Sequence, residues 1–303
     1  MAQLLMMLCP PRSFSSLVST MIGQHPEIYG FPELHLVMRG SVGEVIEWGR
    51  KRRQYLGSQG LLRALAELEF GGQTTENVLS AANWLEDRRD WKSKDALEFI
   101  MDKAAAATGA KFCLEKTPTL VFQPSALNRV RRSFPNARYI HVTRHPVNLK
   151  KSLDEYIANL PRLNEEEKRI RLENSMTAWP LTQRNILDFC ATLAPGQYLR
   201  IRGEDVLSDA ESIMRQVAEW LQLRTDDEAI AAMLRPEESP YACRGPAVAP
   251  FGNDPKFISS PKFRSGKPKL GSVKEFIDTG DGAHYDRDRR DYLTQLANCL
   301  GYQ

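Results

Sequence analysis

Short apolar runs alternate along the chain with longer segments of helical periodicity. Five runs of four to six residues are bounded by proline, glycine or charged residues, which is typical of buried strands. Apolar residues between them recur at helical spacing. The predicted strands are Leu4–Cys9, Ile28–Phe31, Lys111–Leu114, Arg138–Thr143 and Tyr198–Ile201. Strands that alternate with helices predict an α/β fold built on a parallel sheet.

Two segments lie outside this alternation. Residues 42–107 form a charged helical stretch, which we interpret as an insertion. Residues 236–270 are rich in proline, glycine and serine and predict a long irregular segment, a feature that usually serves function. We interpret residues 1–303 as one domain with these two additions. The predicted helices are Ser15–Gln24, Ser125–Phe134, Val147–Ile157, Glu165–Leu193 with an interruption near Pro180, Ala210–Leu221 and Asp288–Leu300.

Composition narrows the class of protein. Hydrophobic residues make up 42% of the 303 positions and charged residues 26%, as in ordinary globular proteins. The formal net charge of +3 is too small to indicate a nucleic-acid partner. The five cysteines form no CxxC pair, which argues against a zinc site or a disulfide framework and favours a reducing compartment. The apolar opening is too short to span a membrane and lacks the basic residues of a signal peptide. We therefore expect a cytoplasmic protein, and the oligomeric state stays open.

Charged residues follow every predicted strand. The carboxyl ends of parallel strands lie along one edge of the sheet, where ligands of such sheets bind. Any one of these charges alone would be interpreted as a solvated loop residue, but the whole set predicts a site for an anionic ligand. The set comprises Arg12, Glu33, Glu115, Lys116, Arg144, Arg202, Glu204 and Asp205.

The loop after the first strand is the most specific of these segments. Ser13, Ser15 and Ser16 follow Arg12 at the start of the first predicted helix. Hydroxyl groups, backbone N–H groups and a helix N-terminus together favour phosphate binding. A helix needs one capping residue rather than three beside an arginine. The chain has no GxxxxGK[ST] motif, which disfavours a Walker-type kinase.

Four segments resemble the PAPS-dependent sulfotransferases. Pro11–Leu17 is similar to the family's P-R-S-G-T-T-L loop, which binds the 5′-phosphosulfate of 3′-phosphoadenosine 5′-phosphosulfate (PAPS). Arg144 ends a predicted strand and Ser152 follows eight residues later, as in the family's second signature. Glu115–Pro118 resembles the K-T-P segment, and Arg202–Leu207 resembles R-Y-E-D-L. The similarity covers residues 4–265 approximately and implies a P-loop-like parallel β-sheet flanked by helices.

The resemblance also implies how the nucleotide is held. Arg144 and Ser152 would bind the 3′-phosphate, so that Arg12 and Arg144 grip opposite ends of one nucleotide. A late loop covers the nucleotide in many relatives, which makes Arg264 a further candidate for the 3′-phosphate. The candidates for the 5′-phosphosulfate are the loop residues Arg12, Ser13, Phe14, Ser15, Ser16 and Leu17.

Two positions depart from the family pattern. Phe14 stands where the loop has a glycine, and Gly203 replaces the tyrosine of R-Y-E-D-L. Glycine permits a positive φ angle and a close approach of the backbone to a ligand. We expect the Phe14 ring to press on the phosphosulfate, to reshape the loop or to stack on a ligand.

Sulfuryl transfer sets the remaining chemical requirements. Charge spreads over the transferred group, so cationic side chains can stabilise it without a metal, and the resemblance makes Lys116 and Arg12 the candidates. The acceptor hydroxyl needs a general base. Glu33 lies 21 residues after Arg12, a spacing similar to that of the carboxylate base in tyrosylprotein sulfotransferases. His35 is the rival base and would share a face with Glu33 in an extended segment. Alternatively, Glu33 only forms a salt bridge with an arginine.

The acceptor is the least defined part of the prediction. Within the family, the resemblance leans toward bacterial natural-product sulfotransferases, including those within polyketide synthases. It implies a small-molecule acceptor or one bound to an acyl carrier protein. Three alternatives stay open: sulfation of a nitrogen, a non-catalytic protein that binds adenosine 3′,5′-bisphosphate (PAP), and a kinase-like phosphotransferase. The segments that carry this similarity are Pro32–Leu36, Tyr139–Pro146, Arg184–Leu187 and Gly252–Phe257.

Overall fold

The computed structural model describes residues 2–51, 58–160, 163–279 and 285–303. Within these residues, five parallel strands form one sheet in the order β2-β3-β1-β4-β5. All five predicted strands are present, and the α/β fold with a parallel sheet is confirmed. The strands are β1 Gln3–Leu8, β2 Ile28–Gly30, β3 Phe112–Lys116, β4 Arg138–Thr143 and β5 Tyr198–Arg202.

Helices cover both faces of the sheet. Helices α2 to α5 form the predicted helical stretch between β2 and β3. The helices of the described residues are α1 Ser15–Gly23, α2 Val42–Lys51, α3 Gln59–Phe70, α4 Thr75–Glu86, α5 Ser93–Thr108, α6 Pro124–Ser133, α7 Pro146–Ala158, α8 Glu165–Cys190, α9 Gly203–Ser208, α10 Ala210–Leu221, α11 Asp227–Met233, α12 Pro255–Ser259, α13 Val273–Thr279 and α14 Arg287–Cys299.

Strand β1 shows why the central strands are apolar throughout. Leu4, Met6 and Leu8 pack into the core that the insertion helices cover. Leu5 and Met7 point to the opposite core, which contains residues of α1 and α10. Successive side chains of a strand alternate between the two faces, and here both faces are buried.

The strand order places the loop after β1 at the centre of the carboxyl edge. Met7 of β1 is level with Lys116 of β3, and Leu8 is level with His141 of β4. The chain builds one half of the sheet after β1 and the other half from β4 onward. Ligands of open parallel sheets bind at such a switch point. The fold thus brings the three strand ends of the predicted site side by side.

Helix α8 does not have the predicted interruption at Pro180. Trp179 and Thr182, on either side of the proline, are both buried. The Thr182 hydroxyl donates to the carbonyl of Ala178 at 2.6 Å. Tertiary packing therefore offsets the cost of a proline inside a helix, which local sequence patterns cannot reveal.

Other differences concern short elements and boundaries. Strand β3 extends two residues beyond the predicted end, because Glu115 and Lys116 are buried although they are charged. The segment 236–270 is largely irregular, as predicted, but contains the short helix α12. The sequence analysis also missed α9, α11 and α13, which have six or seven residues each. Among the described residues, no helix is long and apolar enough to cross a membrane.

Candidate active site

The loop between β1 and α1 turns at two residues with a left-handed backbone. Arg12 has a φ angle of 70°, and Phe14, which immediately precedes α1, has a φ of 59° and a ψ of 15°. Non-glycine residues seldom adopt this region. Ser13, between them, is fully buried, and its Oγ has no hydrogen-bond partner within the described part of the chain. An unpaired buried hydroxyl beside a helix N-terminus fits an anionic ligand.

Lys116 joins three separate segments at one point. Its side chain is fully buried, and the ammonium group uses all three of its donors. Nζ donates to Glu33 Oε1 at 2.8 Å, to Ser16 Oγ at 3.0 Å and to Asn253 Oδ1 at 3.0 Å. The first turn of α1, the segment after β2 and the late irregular segment therefore meet at a single cation.

Glu33 is held by its backbone and remains partly open to solvent. Its side chain is 25% exposed, whereas that of Lys116 is 0% exposed, so the carboxylate is the accessible member of the pair. The Glu33 N–H donates to the carbonyl of Gly252 at 2.7 Å. Gly60 of α3 packs so closely that a Cβ there would overlap the Glu33 carbonyl oxygen. The insertion and the late segment thus fix Glu33 from two sides.

The side chain of His35 lies beside that of Glu33. His35 has a φ of 59°, so the chain turns at this residue. Its Nε2 is 3.7 Å from Glu33 Oε2, and its Nδ1 is 2.9 Å from Ser58 Oγ. The ring also packs on Trp48, with 4.8 Å between centroids. The imidazole is therefore placed to orient the carboxylate.

Glu115 supports this turn from inside the core. Its carboxylate accepts a hydrogen bond from the Thr117 hydroxyl, which in turn accepts one from the His35 N–H at 3.2 Å. Burial raises the pKa of Glu115 to about 7, and the negative charge of Glu33 acts in the same direction. The ionisation of Glu115 is thus shifted into the neutral range.

Asp254 holds the side chain of Arg12. The Arg12 guanidinium pairs with the Asp254 carboxylate and lies 5.1 Å from the ring centroid of Tyr156. Arg12 Nε donates to Ser152 Oγ at 3.4 Å. The Asp254 N–H donates to Ser16 Oγ at 3.0 Å. Two neighbouring residues of the late segment, Asn253 and Asp254, therefore contact the two cations predicted to stabilise the transferred group.

Arg144 is confined on several sides, but its buried Nε donor has no partner among the described residues. Its carbonyl accepts from Trp179 Nε1 at 2.9 Å, and its guanidinium donates to the Arg12 carbonyl. The Phe14 ring covers the guanidinium, with 4.2 Å between Cζ and the ring centroid. Burial lowers the pKa of Arg144 to about 10, so the group stays cationic at neutral pH.

A buried network holds the backbone that follows Arg144. The His145 N–H donates to Glu204 Oε1 at 2.8 Å, and the Tyr302 hydroxyl donates to Glu204 Oε2 at 3.0 Å. The hydroxyls of Tyr302 and Thr143 are 2.8 Å apart. Glu204 therefore acts on the strand end rather than on the open part of the site.

The family profile described as "Sulfotransferase family" matches residues 5–227. The chain belongs to the sulfotransferase family. No curated protein sequence matches the chain.

Solved structures share the sulfotransferase fold along the whole chain. The sulfotransferase domain from the curacin biosynthetic pathway superposes with a TM-score of 0.72 and 21% identity, covering 100% of this chain and 99% of that domain. The corresponding domain of the Synechococcus PCC 7002 olefin synthase gives 0.70 and 22%, covering 99% and 95%. Mouse sulfotransferase SULT7A1, solved in complex with PAP, gives 0.50 and 13%, covering 99% and 88%. At these identities the likeness concerns the fold.

This sulfotransferase brings most of the predicted site residues into one connected set of contacts. Arg264 is placed differently: it is exposed, and its neighbour Ser265 donates to the Leu207 carbonyl at 3.3 Å. Leu17 packs on the core. The connected residues are Arg12, Phe14, Ser16, Glu33, His35, Lys116, Arg144 and Ser152.

Two residues of this sulfotransferase site were not among the predicted ones. Asn253 and Asp254 lie 137 and 242 positions from the residues they contact, Lys116 and Arg12. Their segment had been noted only for its similarity to natural-product sulfotransferases. An Asn-Asp pair followed by Pro255 was the visible signal, but its partners depend on the tertiary fold.

Proposed function

We propose that this protein transfers a sulfuryl group from PAPS to a hydroxyl group of a small-molecule or carrier-bound natural-product acceptor. The observation that carries the proposal is the Lys116 junction. It places a buried cation against both a serine of the anion-binding loop and a partly exposed carboxylate. Transfer of an anionic group needs a cation beside that group and a base beside the acceptor, and this junction supplies both.

The nucleotide would lie along the carboxyl edge of the sheet. The loop from Arg12 to Leu17 would bind the 5′-phosphosulfate, and Arg144 with Ser152 would bind the 3′-phosphate. Ser13 Oγ and Arg144 Nε, which are both buried without a partner in the described chain, support this placement because bound phosphate groups would satisfy them. Arg264 remains a candidate for the 3′-phosphate only through movement of the late segment, since it lies exposed.

The proposed chemistry is an in-line displacement. Glu33 accepts the proton of the acceptor hydroxyl. At the same time, the oxygen of that hydroxyl forms a bond to sulfur. The bond between sulfur and the bridging phosphate oxygen breaks, and PAP leaves with that oxygen. Lys116 and Arg12 stabilise the negative charge that grows on the transferred group and the leaving oxygen, without a metal. His35 orients Glu33, and it remains the second candidate for the base.

The acceptor would approach from the side of the insertion. An open cleft of about 630 Å³ is lined by Arg39 and Trp48, among other residues of α2 and its flanks. Trp48 packs on His35, which connects this cleft to the base. We propose that segments 42–107 and 236–270 form the acceptor walls within one domain of residues 1–303. Exchange of either segment with a relative should then change acceptor preference.

The partner and location follow from the same proposal. One neighbour comes from the curacin biosynthetic pathway and another from an olefin synthase, which supports a natural-product acceptor. The family resemblance adds an acyl carrier protein as its carrier. We propose a cytoplasmic location because the five cysteines are odd in number and form no CxxC pair.

A ligand series followed by a turnover assay tests the proposed function. Thermal unfolding would be measured with PAP, ATP and adenosine 5′-monophosphate (AMP). A shift with PAP alone supports a PAPS enzyme or a non-catalytic PAP-binding protein, and a shift only with ATP would favour the kinase-like alternative. Incubation with ³⁵S-labelled PAPS and hydroxyl, amine and carrier-bound acceptors then separates O-sulfation, N-sulfation and simple binding. Absence of both PAP binding and label transfer would overturn the proposal.

A further inference from the structure

Phe14 adopts a backbone conformation that is unfavourable for its residue type. Its φ of 59° and ψ of 15° lie in the left-handed region, where a Cβ clashes with the backbone and glycine is preferred. Phe14 is nevertheless the residue at this turn. We infer that contacts of the Phe14 side chain offset the free-energy cost of this backbone conformation.

The Phe14 side chain contacts the guanidinium of Arg144. Cζ of Arg144 lies 4.2 Å from the ring centroid, well inside the range of a cation–π interaction. The guanidinium also donates to the Arg12 carbonyl, and its Nε is left without a partner among the described residues. The ring thus blocks one face of the cation and leaves an edge donor for a ligand.

Gly203 provides the space that the ring occupies. A Cβ at this position would overlap Phe14 Cδ2 and would come within 3.2 Å of Cε2 and 3.3 Å of the Thr143 carbonyl. Gly203 does not have a positive φ, so its backbone does not require glycine. The missing side chain, rather than backbone freedom, is therefore the property that this position needs. The family pattern has the opposite sizes, with glycine in the loop and tyrosine after the strand.

We propose that Phe14 and Gly203 form a size-matched pair that positions the Arg144 guanidinium for the 3′-phosphate of the nucleotide. Phe14 is a positioning residue, since it acts through Arg144. The pair therefore sets the preference for a 3′-phosphorylated nucleotide. This inference rests on the proposed function, because it takes Arg144 as the ligand of the 3′-phosphate.

The test compares two nucleotides that differ only in the 3′-phosphate. The affinities of the full chain for PAP and AMP would be measured by calorimetry for Phe14→Leu, which keeps apolar bulk but removes the π face. We expect PAP affinity to fall about three- to tenfold more than AMP affinity, because only PAP carries the 3′-phosphate that Arg144 would bind. Phe70→Leu, a half-buried phenylalanine at the end of α3, is the matched control and should change neither affinity.

The second part of the test exchanges the side-chain sizes at positions 14 and 203. Gly203→Tyr alone should abolish PAP discrimination because the tyrosine displaces the Phe14 ring, and Phe14→Gly combined with Gly203→Tyr should restore part of it. Should Gly203→Tyr fail to fold, as judged by ligand-free thermal unfolding, Phe14→Leu in wild-type and Arg144→Ala backgrounds decides instead. The Phe14→Leu effect must vanish when Arg144 is absent.

The wild-type and Phe14→Leu measurements distinguish failure of the proposed nucleotide site from failure of the positioning role. A wild-type protein that binds PAP no better than AMP would overturn the proposed nucleotide site, and the inference with it. A wild-type protein that prefers PAP, together with Phe14→Leu that keeps the full preference, would overturn the positioning role alone.

Discussion

The two ends of the site differ in how completely the protein satisfies its own charges. At the Lys116 end, all three donors of a fully buried ammonium have protein partners. At the Arg144 end, Arg144 Nε is buried without a partner in the described chain. The fold itself supplies partners for every donor of the Lys116 ammonium, whereas Arg144 keeps a buried donor that the 3′-phosphate would satisfy under the proposed function. Substitutions at the Lys116 end should therefore affect turnover, and those at the Arg144 end should affect nucleotide affinity.

The largest expected effect is on turnover at the Lys116 end. Glu33→Gln should lower kcat by about 10²–10⁴, because glutamine keeps the hydrogen bond acceptor for Lys116 but cannot take a proton. Affinity for PAP should stay at the wild-type value, as measured by calorimetry. His35→Gln is the comparison variant and should cost less. Near-normal turnover of Glu33→Gln beside an inactive His35→Gln would assign the base to the histidine instead.

The second effect is on nucleotide affinity at the Arg144 end. Arg144→Ala should weaken PAP binding more than about tenfold, since a charge-assisted hydrogen bond to phosphate contributes roughly 1.5–3 kcal/mol. Arg200→Ala, an exposed arginine on β5, is the control and should bind PAP normally. Unchanged PAP affinity in a folded Arg144→Ala protein would remove this arginine from the nucleotide site.

A smaller effect on PAP affinity, of opposite sign, is expected at Asp254, which contacts Arg12. Asp254→Asn removes the carboxylate that competes for Arg12 but keeps an oxygen that can cap α12. PAP should bind about two- to fivefold more tightly, the range expected for loss of one partly exposed ion pair. Asp102→Asn, an exposed position on α5, serves as the control. Weaker PAP binding by Asp254→Asn would instead make Asp254 part of the ligand-binding surface.

The smallest effect concerns the dependence of stability on pH. The pKa of Glu115 is raised to about 7 by burial, so the folded state binds its proton more tightly than the unfolded state does. Its contribution to stability is complete below about pH 4.5 and is lost as the pH rises to 7. Glu115→Gln cannot lose a proton, so its Tm relative to wild type should be higher at pH 8 than at pH 5. An equal Tm difference at both pH values would contradict the raised pKa.

Local patterns were sufficient for the five strands and the longer helices, and they placed most of the candidate site residues along one edge of the sheet. All five strands follow from short apolar runs, and the charges after them identified Arg12, Glu33, Lys116 and Arg144 because parallel strands share one carboxyl edge. Boundaries were less accurate where burial contradicts polarity, as in the last two residues of β3. The continuous path of α8 through Pro180 was also missed, since it depends on packing at Trp179 and Thr182.

The sequence by itself determined the parallel α/β architecture, the serine-containing loop after the first strand and the charged residues that follow the strands, because each depends on periodicity and order within a few residues. Only the tertiary structure decided that Asn253 and Asp254 close on Lys116 and Arg12, and that the absent side chain of Gly203 admits the Phe14 ring over Arg144. Such contacts join positions far apart in the chain. They depend on how the loop after β1, the strand ends and the late segment pack together. A local pattern of hydrophobic and polar residues does not specify contacts between positions so far apart.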